Sequence, residues 1–216
     1  MRKIKYGIVI LILFFTATNC VFCQSMKLAT EVQKTDILSQ ISKVSVNTNS
    51  LECHFIQKKN ISVLSETMTS EGVMYFKKEN SLRWQYNKPY RYLFILSGGK
   101  VLIKNESRTD KFDTNSNKMF KEISELMIGG VRGNMLVADK KFSSQYFVGN
   151  STVLVKLIPK SKDLKKMMSG INLTFGKTDW LVKSIEMQEQ GGDNTIITFT
   201  EKNVNKKISD DLFRIN

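Results

Sequence analysis

The sequence predicts a mainly β fold with helices (α+β), in which a single curved antiparallel sheet carries its helices on one face. Three observations predict it. Short stretches of alternating apolar and polar residues recur along most of the chain, joined by turn residues such as Gly98-Gly99, Gly149-Asn150 and Gly191-Gly192-Asp193. Two stretches change to an apolar period of three and four residues. No repeat or low-complexity linker marks off a second domain. An antiparallel sheet can leave one face to water and pack the other against helices, so these features belong together.

The central stretch is Glu71 to Lys88, followed by Pro89. Val73 to Lys78 and Leu82 to Asn87 are rich in aromatic and branched residues around a turn-like Glu79-Asn80-Ser81, which reads as a β-hairpin. Side chains alternate across a strand, so Leu82, Trp84 and Tyr86 share one face and Arg83, Gln85 and Asn87 the other. Met74 and Phe76 belong on the same side as Trp84. A face so rich in aromatic and thioether surface requires a cover.

Taken in order, Leu28, Val32, Leu38, Ile41 and Val44 predict an amphipathic helix, broken at Asn47-Thr48-Asn49. Ser50 to Lys59 then alternates as a strand, with Leu51, Cys53 and Phe55 on one face and Glu52 and His54 on the other. After the hairpin, Tyr90 to Ser97 and Lys100 to Asn105 form strands about Gly98-Gly99, and Arg108 to Asp113 extends the meander. Met119, Phe120, Ile123, Leu126 and Met127 form one face of a helix over Asn117 to Ile128, ended by Gly129-Gly130, and a shorter helical piece is expected over Arg132 to Ala138. Strands resume at Ser144 to Val148, Ser151 to Pro159, Gly170 to Phe175, Trp180 to Gln190 and Thr195 to Asn203. The expected total is about eleven strands and two or three helices.

At the N-terminus, Arg2, Lys3 and Lys5 precede an apolar run from Ile8 to Phe15 and then small and polar residues up to Gln24. This layout predicts a secretory signal peptide over residues 1–23 and a single domain over 24–216. A lipid-modified Cys20 or Cys23 is the alternative, although Ala17-Thr18-Asn19 is a poor lead-in to a modified cysteine. Removal of the leader leaves Cys53 alone, so no internal disulfide is expected and stability must come from burial. The formal charge of +13, which becomes +10 when Arg2, Lys3 and Lys5 leave with the leader, suits membrane surfaces and acidic partners, or a solvated lysine-rich surface, and an exported chain meets little nucleic acid.

Catalytic readings find little support. His54 is the single histidine, and its strand position turns it away from Cys53, which opposes a nucleophile–base dyad. One histidine and one mature cysteine make no evident zinc site, and the glycine pairs sit at hairpin turns rather than in a phosphate loop. No enzyme, cofactor or metal is expected.

With these residues placed, the chain resembles the LolA family of periplasmic outer-membrane lipoprotein carriers over roughly residues 28 to 215. The resemblance rests on Phe55-Ile56-Gln57, on Gly72 to Lys78, on Leu82-Arg83-Trp84-Gln85-Tyr86 with Pro89, on the turn at Ser97 to Lys100, and on Asp211-Leu212-Phe213, similar to a closing strand. It implies a half-open barrel whose apolar concave face is closed by lid helices and opens to acyl chains. Phe55, Met74, Phe76, Trp84, Tyr86, Ile95 and Ile103 would line the cavity, with Leu38, Ile41, Phe120, Ile123 and Met127 on the lid helices. Lys78 stands where the family has an arginine that ties sheet to lid, and a lysine lacks the planar multi-donor fork. The resemblance further implies a monomer in the periplasm that binds lipoprotein acyl chains, receives them from an inner-membrane ABC-type extractor and delivers them to an outer-membrane lipoprotein receptor. Rival readings on the same fold are a carrier of another amphiphile, such as a glycolipid or pigment lipid, and a periplasmic sensing or interaction module. For any single wall residue, ordinary core packing is the first expectation, because apolar alternation is what a half-buried sheet needs.

Overall fold

The computed structural model describes residues 26–64, 66–78, 80–116, 125, 127–129 and 141–215. The leader with Cys20 and Cys23, the lid residues Phe120 and Ile123, and the helical piece expected over Arg132 to Ala138 lie outside them.

Among the described residues, twelve strands form one sheet. In chain order they are β1 (Lys27–Leu28), β2 (Ser50–Ile61), β3 (Glu66–Lys77), β4 (Ser81–Lys88), β5 (Tyr92–Ser97), β6 (Lys100–Lys104), β7 (Thr109–Asp113), β8 (Phe142–Val148), β9 (Thr152–Pro159), β10 (Met168–Gly176), β11 (Val182–Glu189) and β12 (Asn194–Val204). Every pairing is antiparallel, in the order β1-β8-β9-β10-β11-β12-β2-β3-β4-β5-β6-β7. β1 and β7 are the two ends, so the sheet is not closed into a barrel. The expected hairpin is present as β3–β4, with Met74 opposite Trp84 and Phe76 opposite Leu82. Gly98 and Gly99 both adopt positive φ, the conformation that the two-residue turn between β5 and β6 requires.

One face carries the main core. Leu51, Cys53, Phe55, Met74, Phe76, Leu82, Trp84, Val101, Val153, Val155, Leu173, Phe175 and Phe199 alternate inward along their strands and are buried. The other face is buried locally, where Ile95 and Leu102 meet Ile208 and Phe213 of the C-terminal segment. That segment forms a 3-10 turn over Asp210–Phe213, not a closing strand, because Ser209 caps it and Arg83 Nη1 donates to the Leu212 carbonyl at 3.0 Å. The Asp211 N–H donates to Ser209 Oγ and the Arg214 N–H to the Asp211 carbonyl, so these donors are used within the turn rather than in a strand ladder.

The first helix, α1, runs over Glu31–Asn47, three residues later than the apolar pattern suggests. Thr30 and Gln33 form a reciprocal capping box that fixes its start, while Leu28 belongs to β1. Its buried face is Ile37, Ile41 and Ser45, with Leu38 and Val44 half-buried. Val32 is 81% exposed, since nine residues at about 100° each place it on the side of the helix opposite Ile41. A short helix, α2 (Lys162–Met167), capped by Ser161, absorbs the lysine-rich tract at 160–166.

Candidate functional site

The β2–β6 half of the inner face is built of cross-strand rows. One row aligns Leu51, Phe76, Leu82, Leu96 and Val101; the next aligns Cys53, Met74, Trp84, Phe94 and Ile103; a third aligns Phe199, Phe55, Gly72, Tyr86 and Tyr92. Beyond them Ile197, Gln57 and Ser70 stand opposite one another. Polarity therefore rises in one direction across the strands, from an aliphatic and phenyl row to phenols and an amide. Burial falls along β4 in the same direction, from Leu82 at 0% and Trp84 at 5% exposed to a half-buried Tyr86 and an exposed Lys88.

The rings are mutually oriented. Phe55 lies 4.8 Å from Trp84 and meets Tyr86 edge-on at 5.1 Å, Trp84 meets Phe199 at 5.9 Å, and Tyr86 meets Tyr92 at 5.8 Å. Offset and edge-on contacts of this kind suit the ring quadrupoles. Gly72 makes the arrangement possible. A Cβ there would stand 2.0 Å from the Gln85 carbonyl oxygen and 2.5 Å from the Phe55 ring, so Phe55 lies over bare backbone.

The polar groups of this face are few. The Tyr86 hydroxyl donates to Gln57 Oε1 at 2.8 Å. Burial pushes the phenol up to about 12; nearby Tyr92 adds to the rise, while the Trp84 indole and Gln57 oppose it. The Trp84 indole opposes the rise as a neighbouring donor, although no hydrogen bond from it to that hydroxyl is present. Trp84 Nε1 is the one buried side-chain nitrogen or oxygen among the described residues that has no hydrogen-bond partner.

Helix α1 roofs the face. Ile37 and Ile41 are part of the main core and Leu38 packs against it, while Val44, Ser45 and Thr48 line a small hollow with Leu51, Phe76 and Val182. At the helix start, the Ala29 N–H donates to the Tyr146 carbonyl of β8 at 2.8 Å. At its end, Asn205 Nδ2 donates to the Asn47 carbonyl at 3.0 Å and Asn205 Oδ1 accepts from the Asn49 N–H at 2.7 Å. α1 thus runs from β8 to the start of β2, five strand steps away. Its length of about 25 Å matches the roughly 24 Å that five steps occupy. Lys78, in the β3–β4 turn, adds a tie: Nζ donates to the Val46 carbonyl at 3.4 Å and to Asn49 Oδ1 at 3.2 Å.

The expected wall residues divide. Phe55, Met74, Phe76 and Trp84 come together and are fully buried, and Tyr86 and Ile103 pack against them half-buried. Ile95 does not join them. It stands opposite Arg83, which places it on the outer face against Ile208 and Phe213, and Phe94 and Leu96 take the inner positions of β5. Of the expected lid residues, Leu38, Ile41 and Met127 pack on the core, and Ile128 beside Met127 is buried within it. Sequence reasoning missed Asn205, whose partners are more than 150 residues distant and whose positive φ is legible only in the folded chain.

Cys53 and His54 point to opposite faces. Burial pushes the Cys53 thiol up to about 12, with Glu52 adding to the rise and Lys202 opposing it. His54 is exposed, with Nε2 3.6 Å from a Glu201 carboxylate oxygen.

The family described as outer membrane lipoprotein carrier protein LolA matches residues 46–216, from the end of α1 onward. Outer-membrane lipoprotein carrier proteins of Cupriavidus taiwanensis and Cupriavidus necator are each 24% identical over 153 residues, covering 68% of this chain and 67% of theirs. Among solved structures, a conserved uncharacterised protein from Thermus thermophilus is similar in fold, with a TM-score of 0.50 and 10% identity, over 85% of this chain and 94% of that one. A LolA superfamily protein from Nitrosomonas europaea gives a TM-score of 0.45 at 9% identity, over 84% of this chain and 97% of that one. With the family match extending over most of its length, the chain belongs to the LolA family.

Proposed function

We propose that the protein is a periplasmic, non-enzymatic carrier that binds lipoproteins by their acyl chains and moves them from the inner to the outer membrane. The observation that carries this reading is the graded inner face, aliphatic and aromatic from Leu82 through Trp84 to Tyr86, beneath a helix held at its ends by polar contacts. Phe55, Met74, Phe76, Trp84, Tyr86 and Ile103 would meet the chains, and Leu38, Ile41 and Met127 would close over them. Burying acyl chains yields about 0.8 kcal/mol per methylene, so one long chain contributes on the order of 10 kcal/mol relative to water. Cargo on this scale stays bound in transit and leaves only when the roof has a second, open state that donor and acceptor bias differently.

In this reading residues 1–23 direct export, an inner-membrane ABC-type extractor loads the carrier and an outer-membrane receptor unloads it. The carrier acts as a monomer and needs no nucleotide or cofactor of its own.

The test is native mass spectrometry of the protein purified from the periplasm of its own host, followed by denaturation and identification of what is released. A lipoprotein, or its acylated N-terminal fragment, is the expected result. Release of a different lipid would transfer the function to another amphiphile. A ligand-free protein that also refuses added lipoprotein would make the inner face a packed core and overturn the carrier reading.

A further inference from the structure

We infer that the Trp84 indole N–H is the cargo's orientation and specificity contact, donating to the ester carbonyl where an acyl chain joins its glyceryl headgroup. The inference rests on the carrier reading and goes further, naming the bond recognised and the direction in which the chain enters.

Leaving a buried donor unpaired is costly, and native chains pair nearly all of them. Trp84 Nε1 is the exception among the described residues. It stands in the middle row of the inner face, between the wholly apolar row of Leu51, Phe76 and Leu82 and the row that holds Tyr86. The Tyr86 hydroxyl gives its proton to Gln57, and no hydrogen bond from the indole to its oxygen is present. What the indole lacks is an acceptor, and an acyl ester supplies one at the junction between an apolar tail and a polar head. Matching that junction to the rows sets the direction. The tail lies against Leu82, Phe76 and Leu51 toward the end of α1, and the headgroup leaves past Tyr86, Gln57 and the 37%-exposed Tyr92.

Two probes of equal chain length separate the possibilities, a diacylglycerol and the corresponding dialkyl-ether glycerol, which differ in their carbonyl oxygens. The full-length mature protein should bind the ester about five- to tenfold more tightly than the ether, the ratio one good hydrogen bond supplies. Trp84→Phe keeps an aromatic ring and removes the donor. It should bring the ratio close to one, whatever the smaller ring does to overall affinity, because any packing change affects both probes. In the wild-type protein, the Trp84 indole proton should move downfield in the NMR spectrum on adding the ester and stay in place on adding the ether. This second measurement does not depend on the variant folding. Equal binding of both probes to wild type, or a ratio that survives Trp84→Phe, would overturn the inference while leaving the carrier reading intact. Failure of both probes and of lipoprotein to bind would overturn the two together.

Discussion

Lys78 reaches out of the β3–β4 turn to the last turn of α1, where its ammonium donates to the Val46 carbonyl at 3.4 Å. The last turn of α1 carries no basic residue of its own, so Lys78 supplies the cation that the negative end of the helix dipole favours. The same amine bonds Asn49 Oδ1, and the Lys78 backbone N–H donates to the Asn49 carbonyl at 2.7 Å. A lysine thereby ties roof to sheet at the place where the family resemblance suggests an arginine, with weaker and less directional bonds.

Lys78→Met should therefore loosen the end of α1 more than the fold. The contact is exposed, and its loss should cost about 0.3–1 kcal/mol. Amide exchange should quicken at residues 44–48 and stay unchanged in β9 and β10. Release of a bound lipid should speed up more than capture. Equal effects on both rates would remove Lys78 from any role in the roof.

Gly72→Ala should disrupt the aromatic wall itself. The added methyl meets the Gln85 backbone oxygen and the Phe55 ring at once, so the β3–β4 pair must shift as well as the ring. Overpacking of this kind costs about 1–3 kcal/mol. Urea denaturation should show that loss, and near-ultraviolet circular dichroism should weaken as Phe55 separates from Trp84 and Tyr86. A variant as stable as wild type with an unchanged aromatic spectrum would mean that the wall adapts freely at this point.

The same packing sets an alkaline limit. Burial raises Cys53 from 9.0 to about 12 and Tyr86 from 10.0 to about 12. Both groups hold their protons more tightly folded than unfolded, so the stability they contribute is complete below pH 9 and is lost as pH rises toward 12. The urea midpoint should fall across that window. Cys53→Ala should fall less steeply from about pH 9 to 10, where the free thiol ionises ahead of the phenol, and an identical slope would show that Cys53 is not shielded.

The hairpin, the turn glycines and most strands were legible in the sequence because alternation and turn chemistry are local. Parity separated the two sides of β2, β3 and β4, and the family resemblance named the cavity side, on which Phe55, Met74, Phe76 and Trp84 come together. Ile95, carried over by position from the same resemblance, does not join them. Its strand contains Leu93, Phe94, Ile95 and Leu96 without polar interruption, and only pairing with Arg83 decides which of them turns inward. Apolar residues on both sides of β5 reflect a second cover, the C-terminal segment, whose docking is a contact between distant parts of the chain. Val32 misled for a related reason. Three- and four-residue steps admit more than one helical face, and the capping box and Ile37 select the buried one.

That second cover provides a control for the first. Arg83 bonds Gln85 Oε1 through Nε at 3.1 Å and Nη2 at 2.7 Å while Nη1 holds the Leu212 carbonyl, and Lys77 pairs with Asp210 beside it. These contacts hold the C-terminal turn on the outer face, away from Trp84 and α1. Arg83→Met removes the fork and leaves the half-buried Leu212 carbonyl unpaired, at a cost of about 1–3 kcal/mol. Carboxypeptidase should then trim the chain from its C-terminus well before the sheet unfolds, while lipid binding on the inner face stays within about twofold of wild type, since no inner-row side chain is touched. If binding instead falls in step with trimming, the two faces are coupled through β4, and α1 could not be treated as the element that governs the inner face alone.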